Sequence, residues 1–293
     1  MITIFAPDGI GEITVDSDVA AEIIAAVDAH ELGPLVDGDI MVVTSKIISK
    51  HEGRSVPAEE KPGLLVAETV RTVARRGARF VIVETRQGLV QAAAGIDSSN
   101  LAPGTILALP VDPDASAARL LGRLQALTGA RLGVIISDTS GRAWRTGQTD
   151  HAIGLAGVRP LLSYEGQTDT YGNDLLVTSM AVADELAGAA DLAKSKLRRR
   201  PVAVIRGTGQ LLAAGGRSAE LLRPVSEDLF RLGTREAVIE AVAVAVGRVG
   251  DVEDLFKIGG DELVAELTGD LPAHQAELVA VMLRHADGSA PTA

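Results

Sequence analysis

The residues best suited to chemistry lie in one stretch at the middle of the chain, residues 136–150. Asp138 and Thr139 come directly after an apolar, β-branched run that is typical of a buried strand. Their carboxylate and hydroxyl oxygens are the hard ligands that Mg²⁺ or Mn²⁺ prefers. Arg142 and Arg145 follow, and their guanidinium groups suit phosphate or carboxylate partners. The stretch predicts a strand that ends in a metal- and anion-binding loop; an ordinary turn with solvated arginines is the alternative.

Two further groups of polar side chains follow predicted strands. Lys46 and Lys50 come after the apolar run 40–44 and are four residues apart. A helical turn here would place both ammonium groups on one side, so the pair could bind phosphate, or it could be two solvated lysines beside a strand. Asp97 and Asn100 follow a strand of small residues. They could be ligand groups, and ordinary turn chemistry is the alternative.

Positioning these residues requires a scaffold, and the hydrophobic periodicity predicts both strands and helices. Strands are predicted at residues 2–6, 40–44, 80–84, 89–95, 105–110, 131–136 and 201–205. Helices are predicted at residues 19–30, 59–77, 114–128, 177–196, 237–246, 252–256, 261–267 and 274–284. Asp18 and Asp112 are the expected N-caps of the helices at 19–30 and 114–128. Met180 is expected to face inward from the helix at 177–196.

Composition and charge exclude several classes of protein. The chain has 293 residues and is 46% hydrophobic, which is enough apolar material for a sizeable core. A formal net charge of −11 argues against a nucleic-acid partner. Because there is no cysteine, disulfides, thiolate metal sites and a cysteine nucleophile are excluded. No apolar run is long enough for a membrane span and no basic stretch begins the sequence, so we expect a cytoplasmic protein without a membrane partner.

Several common motifs are absent from the sequence. There is no Gly-x-x-x-x-Gly-Lys-Ser/Thr phosphate loop, no Gly-x-Ser-x-Gly elbow and no His-x-x-x-His pair. The densest basic run, residues 194–200, lies at the predicted C-terminal end of a helix, where cations interact favourably with the helix dipole. A solvated helix end is the favoured interpretation of this run, and ligand contact is the alternative.

Several strings of the sequence, taken together and in order, resemble the coenzyme F420-0:L-glutamate ligase family. The strings are residues 39–54, 91–100, 109–114, 136–150, 171–173 with 182–185, and 202–207. They cover roughly residues 1–235, and several long strings in order are far more specific than any one motif. The resemblance implies an α+β fold with a mixed sheet, as in the F420 ligases, and an intertwined homodimer. Residues 1–235 would form the ligase-like domain, and residues 236–293 a short C-terminal helical extension.

The resemblance also implies an activity. Members of the family add L-glutamate to the deazaflavin coenzyme F420-0 and convert GTP to GDP and phosphate, through an acyl-phosphate intermediate. The implied cofactors are divalent ions, two Mg²⁺ or Mn²⁺, with K⁺ as a further candidate. The implied partners are the small molecules F420-0, L-glutamate and GTP. A metal-dependent phosphohydrolase and a non-catalytic deazaflavin-binding protein are the alternatives.

Matching the family's motifs residue by residue assigns roles to particular side chains. The implied metal ligands are Asp97, Asp138 and Thr139. The implied nucleotide-binding residues are Ser45, Lys46, Lys50 and Asn100, with the turn Ile10, Gly11, Glu12 and Ile13. The residues expected to be catalytic are Asp97, Asp138 and Arg142. The resemblance, and not the spacing of the two lysines, is what favours phosphate binding by Lys46 and Lys50.

Overall fold

A computed structural model describes residues 1–77 and 80–286 of the chain. Contacts divide the chain into two compact units. Unit 1 comprises Met1–Lys61 and Ile96–Leu222, and unit 2 comprises Pro62–Gly95 and Arg223–Ala293. Because each unit is assembled from two separate segments, its core depends on contacts between residues far apart in the sequence.

The described residues contain short strands and helices in alternation. The strands are β1 (Thr3–Phe5), β2 (Ile40–Thr44), β3 (Ser55–Pro57), β4 (Thr69–Arg76), β5 (Phe80–Thr85), β6 (Val90–Ala92), β7 (Thr105–Leu107), β8 (Gly133–Arg142), β9 (Arg145–Ala156), β10 (Leu162–Ser163), β11 (Gln167–Thr168), β12 (Asp174–Leu175), β13 (Ser179–Met180) and β14 (Val202–Arg206). The helices are α1 (Val19–Asp28), α2 (Ser45–His51), α3 (Lys61–Glu68), α4 (Pro113–Thr128), α5 (Val182–Lys194), α6 (Thr234–Ala245), α7 (Val252–Leu255), α8 (Gly260–Thr268) and α9 (Ala273–Ala286).

Unit 1 is organised around a five-stranded sheet in the order β1-β14-β2-β8-β9. β2 and β8 pair in parallel, and the other neighbours pair antiparallel. Because a parallel and several antiparallel pairs share one sheet, the sheet is mixed. The predicted α+β class with a mixed sheet is confirmed.

The core of unit 1 lies on both faces of this sheet. Ile40, Val42 and Ile135 point to one face, where the small side chains of α5 pack against them. The alternate residues Met41 and Val134 are also fully buried, so both faces are covered. Burial on both faces explains why β2 and β8 are continuous apolar runs in the sequence.

Helix α4 packs against β8 and β9, and its ends are set by local chemistry. The Asp112 side chain accepts a hydrogen bond from the backbone N–H of Ala115, and Pro113 occupies the first turn. Gly129 ends the helix in the left-handed conformation that glycine adopts at low cost. Asp18 caps α1 in the same way, so both predicted N-caps are confirmed.

Unit 2 has a three-stranded sheet and a separate cluster of helices. The sheet has the order β4-β5-β6, and the helical core is formed by buried residues of α6 to α9 with Phe256. α6 contacts β4. At that contact Glu236 is buried and accepts a hydrogen bond from the backbone N–H of Arg75.

Two predicted elements were wrong in type. The helix predicted at residues 59–77 is the short helix α3 followed by β4, because the β-branched residues after Glu68 pair with β5. The strand predicted to end at residue 136 continues through Arg142 and pairs with β9, so residues 136–150 form a β-hairpin and not a strand-end loop.

The helix predicted at residues 177–196 was also partly wrong. α5 begins at Val182, and Met180 lies in β13, where it is 42% exposed. Short antiparallel pairs, β10 with β13 and β11 with β12, occupy the preceding segment. The helical spacing of Met180 predicted its burial, but the residue pairs in a short strand instead, so that prediction was wrong.

The C-terminal segment is helical as predicted through residue 286, and residues 287–293 lie outside the described part of the chain. The contacts group the described residues from Arg223 onward with Pro62–Gly95. The predicted boundary between residues 235 and 236 stays a prediction. Among the described helices, none combines the length and apolar character needed to cross a bilayer.

Candidate functional site

The predicted site residues converge on a cavity of about 600 Å³ in unit 1, called here the main cavity. It is enclosed by the turn at residues 10–13, helix α2, the segment 100–102, one side of the β8–β9 hairpin and the segment 191–201. The predicted site residues that line it are Ile10, Gly11, Glu12, Ile13, Lys46, Lys50, Asn100 and Thr139. Chain segments far apart in the sequence thus converge on one cavity, as in most small-molecule sites.

Lys46 reaches the cavity because α2 begins directly at the end of β2. Its ammonium group forms an ion pair with the Asp97 carboxylate. It also donates hydrogen bonds to the backbone oxygen and the hydroxyl of Ser99, at 2.6 and 3.1 Å. Burial acts to raise the pKa of Asp97, but the Lys46 and Ser99 hydrogen bonds outweigh burial and hold that pKa below its ordinary value. Asp97 is therefore ionised at neutral pH.

Lys50 lies one helical turn further along the same side of α2. Its ammonium group forms an ion pair with Glu12 of the 10–13 turn and approaches the backbone oxygen of Asn100 at 3.5 Å. The Lys50 side chain is 13% exposed, whereas the Glu12 side chain is 65% exposed. The two lysines therefore lie on one side of a helical turn, each beside a carboxylate.

Asp138 lies in β8 and accepts a hydrogen bond of 2.8 Å from the Ser45 hydroxyl. Burial raises the pKa of Asp138 to about 6, and the negative charges of Asp150 and Asp97 act in the same direction. The Ser45 hydrogen bond and the Lys46 charge only partly offset these effects. Asp138 is thus close enough to Asp150 and Asp97 to be repelled by both, which is an arrangement that a cation would stabilise.

A buried network lies beside the main cavity, where Asp150 of β9 faces Thr139 of β8. Asp150 accepts hydrogen bonds from Ser137 at 2.7 Å and from Thr139 at 2.6 Å. Its strongest partner is Lys194, the last residue of α5, at 2.7 Å. Burial acts to raise the pKa of Asp150, but the Lys194 charge and these hydrogen bonds outweigh it, so the pKa is lowered.

Arg142 lies at the tip of the β8–β9 hairpin, outside the residues that line the main cavity. Its guanidinium group donates a hydrogen bond to the backbone oxygen of Thr146 at 3.2 Å, across the turn. Trp144, in the same turn, is 80% exposed. The catalytic role that the sequence suggests for Arg142 stays a prediction.

Several lining residues were not predicted from the sequence. They are Asp150, Asp191, Lys194, Lys196, Arg199 and Arg200. The solvated helix end predicted for residues 194–200 is wrong for Lys194, which is 5% exposed and paired with Asp150. Alternation along a hairpin could have placed Asp150 beside Thr139, but no local pattern connects Asp150 with Lys194.

The donor set can be compared with what a divalent ion requires. Within the described ranges, no three histidine, cysteine or acidic side chains are grouped as a ready-made ligand set. Mg²⁺ sites commonly use one or two carboxylates and complete the coordination with phosphate oxygens and water. Asp97, Asp138 and the Thr139 hydroxyl are oxygen donors of the kind that such a site uses. Lys46, which suits phosphate, is paired with Asp97, and its charge acts on Asp138.

The fold and the site together define an α+β protein with a cavity in which basic side chains predominate and Lys46 and Lys50 are each paired with a carboxylate. A family model described as F420-0:Gamma-glutamyl ligase matches residues 63–207. The chain is 40% identical over 252 residues to the coenzyme F420:L-glutamate ligase of Methanothermobacter thermautotrophicus, covering 78% of this chain and 99% of that protein. The chain belongs to the F420-0:gamma-glutamyl ligase family, so the family resemblance is confirmed.

Two further relatives extend this comparison. The coenzyme F420:L-glutamate ligase of Methanocaldococcus jannaschii is 36% identical over 217 residues, which cover 68% of this chain and 86% of that protein. That of Archaeoglobus fulgidus is 36% identical over 252 residues, which cover 78% of this chain and 96% of that protein. The similarity therefore extends over nearly the whole length of these relatives.

Proposed function

We propose that this protein is a ligase that adds L-glutamate to coenzyme F420-0, as the names of its relatives suggest, and that it uses GTP and a divalent metal to do so. The observation that carries the proposal is that Lys46 and Lys50 line the main cavity, while Asp97 is paired with Lys46 and Asp138 lies within reach of the Lys46 charge. Lysines suit phosphate groups, and the paired carboxylates suit the cation that accompanies a nucleoside triphosphate.

The chemistry of amide formation explains why such a site is needed. A carboxylate does not react with an amine until one of its oxygens has become part of a leaving group. In the proposed reaction a carboxylate oxygen of F420-0 attacks the γ-phosphorus of GTP, and GDP leaves. The glutamate amine then attacks the acyl carbon, loses a proton and displaces inorganic phosphate. The first step brings a carboxylate to a polyphosphate, so stabilisation of negative charge is the main requirement.

The residues around the main cavity can supply that stabilisation. Lys46 and Lys50 would bind the phosphate oxygens by charge-assisted hydrogen bonds. Asp97, Asp138 and Thr139 would hold Mg²⁺ or Mn²⁺, which neutralises phosphate charge when bound. Ser45 orients Asp138, since its hydroxyl donates to one carboxylate oxygen and leaves the other available. The homodimer and the cytoplasmic location implied by the resemblance belong to this proposal as well.

Nucleotide turnover with and without glutamate tests the proposal. The protein is incubated with F420-0, GTP and Mn²⁺, and GDP release is measured with and without L-glutamate, and again with ATP in place of GTP. We expect sustained GDP release only when all substrates are present. A metal-dependent phosphohydrolase would release phosphate without glutamate, and a deazaflavin-binding protein would release none in either case.

A further inference from the structure

A second cavity of about 510 Å³ adjoins the main cavity in unit 1. Ser195 and Arg200 line both cavities, so the two share a wall at the end of α5. Each cavity lies within the range of about 300–1,000 Å³ that is typical for one small-molecule ligand. Unit 1 therefore has adjoining space for two ligands of that size.

The lining of the second cavity indicates which kind of ligand it could bind. It is mainly polar and also includes the apolar side chains of Ile4, Leu32 and Leu192. Its charged lining is mostly basic, with Arg198 and Arg200 against Glu31. An organic molecule with polar groups and negative charge fits such a lining. In a chain of net charge −11, the mostly basic charged lining of both cavities is a local exception.

Arg200 holds a carboxylate at the wall between the cavities. Its guanidinium group donates two hydrogen bonds of 2.6 Å, one to each oxygen of Asp8. This bidentate geometry is the one that arginine uses to recognise a free carboxylate. The Asp8 side chain is 71% exposed, so water and other carboxylates can compete with it for Arg200.

We infer that the second cavity binds the acid substrate of the ligation, and that the carboxylate to be coupled takes the place of Asp8 on Arg200. This inference rests on the proposed function, in which one acid, one amine and a nucleotide must meet. Reacting atoms must approach to about 3–3.5 Å, so the acid has to extend into the main cavity while its body stays outside. Arg200 lines both cavities, so a carboxylate held by Arg200 lies at the border of the main cavity. A small amino acid alone would leave the second cavity largely empty.

A pair of leucine variants tests the inference. Leu192 lines the second cavity, whereas Leu197 lines neither cavity, and the two side chains are 86% and 88% exposed. Leu192→Glu and Leu197→Glu therefore make the same charge change at similarly exposed positions, with little effect on folding expected from either. We expect Leu192→Glu to raise the KM for F420-0 severalfold, because a negative charge on the cavity lining repels an anionic ligand and solvent screens only part of that repulsion.

Leu197→Glu is expected to keep the wild-type KM for F420-0, and both variants the wild-type KM for GTP. Asp8→Asn, which weakens the competitor for Arg200, should lower the KM for F420-0. Equilibrium dialysis with F420-0 alone checks that the effects are on binding. If the wild type forms product but the two leucine variants bind F420-0 equally, the inference is overturned while the proposed function stands. If the wild type forms no glutamylated product, the proposed function fails and the inference fails with it.

Discussion

Lys194 offers a sharp test of how the β8–β9 hairpin is held beside α5. Its ammonium group is buried between Asp150 and Ser137, at 2.7 and 2.8 Å. The side chains of Lys194 and Asp150 are only 6% and 4% exposed. In Lys194→Met the apolar stem is retained and the charge is lost, so the Asp150 carboxylate is left buried without its cation.

Removing one partner of a buried ion pair typically costs about 3–5 kcal/mol of stability. For a domain the size of unit 1, each kcal/mol of lost stability lowers the melting temperature by about 2–4 °C. We therefore expect the melting temperature to decrease by roughly 6–20 °C. Lys194 lowers the pKa of Asp150 in the folded protein. The ion pair therefore stabilises the fold at pH values above the pKa that Asp150 has in the unfolded chain, and this stabilisation is lost as pH falls through the lower pKa of Asp150 in the folded protein. The difference in stability between wild type and variant should narrow as pH is lowered from neutral to about 4 and below, because the buried Asp150 of the variant lacks its cation and takes up a proton first.

Thermal unfolding followed by circular dichroism, repeated across this pH range, measures the effect. Lys196→Met is the matched control, since Lys196 lines the same cavity but is exposed, and its replacement should cost within about 0.5 kcal/mol. Lys194→Met combined with Asp150→Asn should recover part of the loss, because no uncompensated charge remains. Equal melting temperatures for the Lys194 and Lys196 variants at neutral pH would refute the reasoning.

Three further results are expected. Lys50→Met should raise the KM for GTP by about ten- to a hundredfold, because a charge-assisted bond to phosphate is lost. The melting temperature should change little, because its partner Glu12 is exposed, and an unchanged KM would show that Lys50 does not bind GTP. Asp138→Asn should fold but lose most activity, and full turnover by this variant would contradict the role of Asp138. In the wild type, kcat/KM should fall as pH is lowered through about 6, because the Asp138 carboxylate becomes protonated there. A protein truncated after residue 235 should aggregate, because β4 loses the contact with α6; a soluble, active product would favour the boundary between residues 235 and 236.

The parts of the fold that local sequence controls were predictable. The caps at Asp18 and Asp112 depend on side chains within one turn of the helix, so their sequence signals are sufficient. The runs that became β2 and β14 are apolar on both faces, which identifies central strands. β4 was missed because residues 69–76 have helical spacing, and only the pairing with β5 decides their conformation.

Site residues that belong to short sequence motifs could be predicted, whereas contacts between residues far apart in the sequence could not. Lys46 and Asp97 were each singled out, but their ion pair joins residues that are 51 positions apart. The sequence predicts Lys194 to be part of a solvated basic run, because no nearby residue indicates that it pairs with Asp150, 44 positions away. The register of β8 with β9 and the packing of α5 bring the two together.

The most direct test of the proposed activity is the mass of the deazaflavin product. F420-0 is incubated with the protein, GTP, Mn²⁺ and L-glutamate, and the mixture is analysed by mass spectrometry. A parallel reaction uses L-glutamate labelled with ¹⁵N, which shows that the added nitrogen comes from the amine. The account predicts a product heavier by one or more glutamyl residues, with the label retained in each. Unmodified F420-0 after incubation with folded protein and all substrates would contradict it.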